Sequence, residues 1–392
     1  MIKILKKLFS GDREFYLRVL ALALPIALQS LITIGVNMLD TIMVGRLSEE
    51  ALSATSLANQ FINIYHILCM GLGMGASVLV SRYWGMRESE PQKAAEALKK
   101  TVCIMVRLTL ALAFLFAAAT LVIPGSIMKM YTPEQSIISL GITYFRYSVV
   151  TYFFLGLSLV CTIVLRSVGQ VRLPLYVSIG AFCVNLAANY GLIFGKLGMP
   201  RMGIAGAALG TLIARVFEAG VICGYLFFFD RAIGFRIRHL FMKTADLLGE
   251  YIRISIPVLV SDGILAIGNN TVAMVVGHLS MAFVAANAVT SVTQQMSNVL
   301  AQGVAQAGAI VTGQTLGEGD REKALDQGYA FLGLGLGLGL FAALVIRLIS
   351  GPVIHAYNMS PETMEVARQL MDAIGFIMIF QSANSIMTKG VL

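Results

Sequence analysis

Ten runs of about 20 or more largely apolar residues follow one another along this 392-residue chain, and each is long enough to cross the hydrocarbon core of a bilayer as a helix. They fall near 17–44, 53–81, 101–123, 137–163, 173–195, 203–229, 252–277, 283–312, 327–350 and 365–388. Strands are excluded as the spanning element. The runs are too long and lack alternation, and an open sheet edge would leave backbone groups unpaired in hydrocarbon. Hydrophobic residues make up 57% of the chain and charged residues 13%, with a mean hydropathy of +0.79. A soluble domain carries about a quarter charged residues, so the expected fold class is an all-α polytopic membrane protein.

The runs are related to one another. Pro25 opens a segment ending Val44, Gly45, Arg46, Leu47, Ser48, and Pro257 opens one ending Val276, Gly277, His278, Leu279, Ser280. The same shift of 232 residues pairs Asn37 with Asn269, Ala54 with Ala286, Gly71 with Gly303 and Gly85 with Gly317. The expected architecture is two related six-helix-type lobes, with four helices of the second present here. Residues 1–229 hold helices 1–6, 230–250 form a cytoplasmic linker, and 251–392 hold helices 7–10. The final "QSANSIMTKGVL" corresponds to the end of the fourth helix of the first repeat, so the second lobe reads as incomplete. Two related bundles can rock about a site between them, which points to transport.

Charge sets the orientation. With the N-terminus inside, the inner segments hold Lys3, Lys6, Lys7, Arg82, Arg87, Lys99, Lys100, Arg236, Arg238, Arg321 and their neighbours, while Arg46, Lys129, Lys196, Arg201, Arg347 and Arg368 lie outside. The bias is about 20 to 6 and places the N-terminus of this multi-pass chain on the cytoplasmic side. The first eleven residues read as an interfacial helix on the inner leaflet. The net charge of +8 is dispersed over short loops without a basic-aromatic patch, so it marks the bilayer as partner and not nucleic acid. The five cysteines and four histidines are scattered without metal-ligand spacing, and neither a disulfide framework nor a metal centre is expected. "GLGMG" at Gly71 and "GLGLGLG" at Gly333 lack the strand-turn-helix context of a phosphate loop and read as helix-packing glycines.

Asp40, in "GVNMLDTIMVG", is the leading candidate for chemistry, because an acid in hydrocarbon is costly unless it faces a cavity or a partner. Its repeat counterpart is Val272, which suggests a task performed by one lobe. Asn185 and Asn189, four apart, share a helix face and offer carbonyl oxygens to a cation or hydrogen bonds to Asp40; interhelical bonding is the bland alternative. Thr211 adds a hydroxyl among small residues that would also serve packing. Gln29, Asn37, Gln60, Asn63, Tyr65, Gln294, Gln295, Asn298 and Gln302 are candidates to line a central cleft, with Asp262 a candidate second acid. Such a mixed amide and aromatic surface suits lipophilic cations. Arg215 and Glu218 are spaced to pair on one helix face, Arg107 and Arg146 to sit near span ends, and Asp372 to be solvated.

"NMLDTIMVGRLSEEALSATSLANQ", "NLAANYGLIFGKLGMPRMGIAGAALGTLIAR" and the terminal "SIMTKGVL" resemble the multidrug and toxic compound extrusion (MATE) family, over nearly the whole chain. The resemblance implies a two-lobed helical exporter that works by alternating access. An acid on helix one, here Asp40, would couple H⁺ or Na⁺ entry to release of organic cations and drugs. It also implies that Asn185, Asn189 and Thr211 belong to the coupling site, with Na⁺ at Asp40, Asn185 and Asn189 the one metal to consider. Some members carry an acid where this chain has Asn189, which favours a proton or a weakly held Na⁺. No organic cofactor, no enzymatic activity and a monomer are expected. A lipid-linked oligosaccharide flippase of similar architecture would need several inward cations, for which only Arg107, Arg146 and Arg215 qualify. A membrane acyl- or glycosyltransferase would need clustered acids and histidines, and a non-functional truncated fragment is a third alternative.

Overall fold

The computed structural model of the chain describes residues 11–277, 281–356 and 361–390. Within them, the side chains of Asp262, of most residues between 265 and 292 and of 352–363 stand outside the description. The sequence expectations for the interfacial helix and for Asp262 therefore fall outside the described residues.

All ten apolar runs are helical. In chain order the elements are α1 (Arg13–Gly45), α2 (Glu49–Gly85), α3 (Pro91–Val122), the short α4 (Pro124–Lys129), α5 (Gln135–Ser148), α6 (Thr151–Ser167), α7 (Arg172–Phe194), α8 (Ile204–Gly224), α9 (Ala245–Gly277), α10 (Met281–Gly317), α11 (Arg321–Ala356) and α12 (Pro361–Gly390). No strand occurs among the described residues. The run expected as one span over 137–163 is two helices, α5 and α6, bent by 58°. Three successive β-branched residues, Val149, Val150 and Thr151, lie at the break, where side-chain crowding weakens helix propagation. Beside it the Tyr65 hydroxyl donates to the carbonyl of Tyr152 at 2.7 Å, so Tyr65 is a core residue and not a cleft residue.

The chain divides into two compact units, and the division does not fall at the expected linker. One unit comprises Ile32–Tyr83 and Glu90–Val260; the other takes the described residues before Ile32, Trp84–Ser89 and those from Ser261 onward. The boundaries lie inside α1 and α9, a few residues beyond Pro25 and Pro257, so each repeat's first helix begins in the unit built mainly by the other repeat.

Side chains explain the exchange. In the first unit the start of α9 is held by Arg82 and Tyr83 on Glu250 (3.2 Å each), by Lys100 on Asp246 (2.7 Å) and by the Tyr251 hydroxyl on the Leu72 carbonyl (2.6 Å). Leu259 packs where Gly71 has no side chain. In the second unit Arg18 donates to Gln314 at 2.6 Å, Phe15 packs edge-on against Phe331, and Ala27 lies against Gly303. The shift of 232 residues carries Gly71 to Gly303 and Ala27 to Leu259, so the two contacts are repeat images of each other.

Residues 230–250 belong wholly to the first unit. The Asp230 carboxylate accepts from Gln170 Nε2 (3.0 Å) and from the Ile233 amide (2.8 Å), and Arg236 donates to the carbonyls of Asp230 and Phe235. That unit's core runs through Ala54, Ala58, Ile138, Phe145, Ile193 and Ala208. In the second unit Ile346, Ala367, Met371 and Met378 form a core between α11 and α12. Gly335 and Gly339 let α11 approach the backbone of α12 at Ala383 and Ile379, in keeping with the packing role read from "GLGLGLG".

Candidate functional site

The first unit holds a half-open cavity of about 560 Å³, lined from six helices. α1 contributes Asn37 and Asp40, α2 contributes Asn59, Gln60, Asn63 and His66, and α5 contributes Tyr144. Asn185 enters from α7, and Thr211, Arg215 and Glu218 enter from α8. The spacing of these residues follows the helical repeat: Asn59, Asn63 and His66 are separated by four and three positions, as are Thr211, Arg215 and Glu218, so each trio occupies one face of its helix.

Asp40 is the focus of this cavity. Its Oδ1 accepts a hydrogen bond from Asn189 Nδ2 at 2.6 Å, and the same nitrogen donates to Asn185 Oδ1 at 3.2 Å. One buried amide thus ties an acid on α1 to its own helix neighbour on α7. Asn189 is 1% exposed and Asn185 4%, whereas Asp40 keeps partial access to the cavity. The position of Asn189 depends on α8. Its carboxamide fills the space where a residue at 210 would carry a Cβ, and Gly210 leaves that space open. Carboxylate, amide carbonyl and the Thr211 hydroxyl are hard oxygen donors, suited to a proton or a small hard cation.

A second charged group faces the same space. Arg215 Nη1 donates to Glu218 Oε2 at 2.7 Å, the pairing expected from their spacing. Arg215 and Glu218 line the same cavity as Asp40. Tyr144 donates its hydroxyl to Asn59 Oδ1 at 3.2 Å, which orients an amide on the wall.

Of the proposed cleft residues, Asn37, Gln60 and Asn63 line this cavity. Gln29, Gln294 and Gln295 belong to the other unit. Gln29 is buried and bonded there, Gln294 Nε2 donates to Gln381 Oε1 at 2.9 Å, and Gln295 is exposed. Arg107 is exposed and donates to the Leu240 carbonyl at 2.7 Å, and Arg146 is exposed at the end of α5. Asp372 is exposed, as expected, and also pairs with Arg347 at 3.3 Å. His66, Asn59 and Tyr144 were not singled out from sequence. The three-and-four spacing on α2 would have placed His66 and Asn59 with Asn63, but nothing local marks Tyr144.

Comparison with known proteins agrees with this arrangement. Over 379 residues the chain is 26% identical to the multidrug resistance protein NorM of Burkholderia vietnamiensis, covering 94% of this chain and 79% of that protein. It is 23% identical over 378 residues to a probable NorM of Thermotoga maritima, with 95% and 79% covered. A MOP superfamily transporter from Pyrococcus furiosus shares the fold with a TM-score of 0.81 at 22% identity, over 98% of this chain and 84% of that one. The MATE transporter VcmN of Vibrio cholerae does so with a TM-score of 0.82 at 16% identity, over 95% and 84%. The MatE family model matches residues 25–191 and 257–392, one segment in each repeat, and the chain belongs to that family of multi-pass multidrug efflux transporters.

Proposed function

We propose that this transporter is a cation-coupled antiporter that exports organic cations, with the coupling cation taken at Asp40. The observation that carries this reading is the buried Asn189 amide on Oδ1 of Asp40, which itself lines a cavity of mixed polar and apolar character. An acid within a spanning helix costs several kcal/mol unless it has a use or a partner, and Asp40 has a partner on Oδ1 and lines the cavity. A proton or Na⁺ arriving from outside neutralises Asp40 and removes the charge that holds a cationic guest. Release outward follows only if the ion binds one conformation better than the other, which is the requirement for coupling. The N-terminus is cytoplasmic, the membrane is the bacterial cytoplasmic membrane, the ion is H⁺ or Na⁺, and the working form is a monomer without cofactor.

The flippase reading is weaker on the same geometry. Arg107 is engaged on the Leu240 carbonyl and Arg146 does not line the cavity, so only Arg215 of the three remains to meet a pyrophosphate there. The test is efflux of ethidium from reconstituted vesicles with imposed Na⁺ or proton gradients. Efflux driven by one gradient names the ion; no response to either, from well-inserted protein, rejects coupling.

A further inference from the structure

We infer that residues 231–243 anchor the chain on anionic phospholipid headgroups, through exposed cations that flank an exposed aromatic side chain. The stretch reads "RAIGFRIRHLFMK" and carries Arg231, Arg236, Arg238 and Lys243 with no acid among them. Its place follows from its neighbours in the chain. It begins just past the apolar span Ile204–Phe229 and ends just before α9 starts at Ala245, so it lies where the chain leaves one spanning helix and enters the next apolar one. That span closes on Phe228 and Phe229, both exposed, which favours lipid over a soluble acidic partner as the occupant.

Within the stretch, Ile237–Phe241 form a 3-10 turn, in which residues three apart eclipse one another. Arg238 and Phe241 therefore share a face; both are exposed, Phe241 to 85%. Contacts to α3 hold the turn in place. Arg107 Nε and Cys103 Sγ donate to the Leu240 carbonyl at 2.7 and 3.4 Å, and Lys99 passes beside Gly234. Lys99, Cys103 and Arg107 are four apart and so form one stripe of α3. Arg236 and His239 are used inside the turn: Arg236 Nη1 donates to the carbonyls of Asp230 and Phe235, and His239 Nδ1 accepts the Arg236 amide at 2.9 Å. The nearest acids in sequence are engaged elsewhere. Asp230 is buried on Gln170 and backbone amides, Asp246 meets Lys100, and Glu250 meets Arg82. Among the described residues no ion pair engages Arg231, Arg238 or Lys243, and all three are exposed. A phosphodiester headgroup supplies their counter-charge, while Phe241 and Ile237 enter the acyl boundary and the Arg and Lys stems reach up to the headgroup.

The experiment uses the purified full chain in nanodiscs, carrying Trp84→Phe and Phe241→Trp so that its one indole stands at 241. Quenching of that indole is compared between brominated phosphatidylglycerol and brominated phosphatidylcholine, each at the same mole fraction. The anionic lipid should quench more strongly, with an enrichment of about fivefold for each cation engaged, and added salt should shrink the difference. Arg238→Gln with Lys243→Gln should remove the preference. Lys196→Gln with Arg201→Gln makes the same change of net charge at exposed positions of another loop and should leave it intact. Equal quenching by the two lipids overturns the proposal, as does a preference that survives Arg238→Gln with Lys243→Gln or falls equally in the control pair. No quenching by either lipid overturns it too, and places 241 in water, where a soluble partner would have to cover it. Should Phe241→Trp fail to fold, Ile237→Trp carries the reporter and the same outcomes decide.

Discussion

Replacing Asn189 by aspartate converts a hydrogen-bond donor to Asp40 into a second acid at the same place. Asn189 Nδ2 lies 2.6 Å from Asp40 Oδ1, so a carboxylate oxygen would start within that distance of another. Two unit charges there repel by about 6 kcal/mol at an effective dielectric of ~20, and relaxation to about 4 Å leaves roughly 4 kcal/mol. That repulsion is relieved only when a cation sits between the two carboxylates. Since 1.4 kcal/mol is about tenfold, the gain in cation affinity lies between about tenfold and a thousandfold, the lower figure applying if water enters. Asn189→Asp should therefore lower the Na⁺ concentration for half-maximal ethidium efflux at least about tenfold at neutral pH, or move the proton dependence by a like factor if the pair prefers to share a proton. The assay is efflux from reconstituted vesicles over a Na⁺ titration at two pH values. Unchanged Na⁺ and pH dependence in a folded, inserted protein would assign Asn189 to packing and refute the reasoning.

Other perturbations follow from the same contacts. Gly210→Ala puts a methyl group into the Asn189 carboxamide. It should cost about 1–3 kcal/mol of stability by overpacking and weaken ion dependence together with it, read from thermal unfolding and the same titration. Gly303→Val should cost a similar amount by pushing α1 at Ala23 and Ala27 off α10, and a variant with the wild type's unfolding midpoint would show that the repeat-related contact is not needed. The Lys100–Asp246 pair gives a pH signature. The hydrogen bond from Lys100 holds the Asp246 carboxyl below its usual range, and the bonds to Asp246 and Glu96 hold the Lys100 ammonium above its own. The Asp246 contribution is thus present above the unfolded acid value near 3.9 and fades as pH falls through the lower folded value; the Lys100 contribution is present below about 10.4 and fades as pH rises through its raised value. The midpoint difference between wild type and Lys100→Ala should be small and flat from about pH 5 to 9, and shrink in acid.

Much of this was legible in the sequence, and the reasons are physical. In hydrocarbon a backbone can satisfy itself only as a helix or a closed barrel, and each of the ten apolar runs is helical, one of them as two helices. The acid at 40 and the amides at 185 and 189 stood out because polar groups are rare and costly there. The break at Val149 and Val150 was hidden because the apolar run continues through it and no proline or glycine marks it. The exchange of α1 and α9 between units was hidden for a different reason. The repeat reveals which residues are equivalent but not which partner each faces, and the pairs Gly71 with Leu259 and Gly303 with Ala27 are distant in sequence. Tyr65 reads as a polar cleft residue from its hydroxyl, yet that hydroxyl is spent on the Tyr152 carbonyl. Arg215 and Glu218 were legible as a pair, but not as part of the wall facing Asp40, because that requires the fold of α8 against α1.

The central claim is that Asp40 takes the coupling cation. It is tested most directly by concentrative ethidium transport in proteoliposomes, wild type against Asp40→Asn, under whichever imposed ion gradient drives the wild type. The expected result is accumulation against the dye gradient by the wild type and none by Asp40→Asn, with the variant inserted and its unfolding midpoint near that of the wild type. Asp40→Asn that concentrates ethidium at the wild-type rate and to the wild-type level would contradict the account.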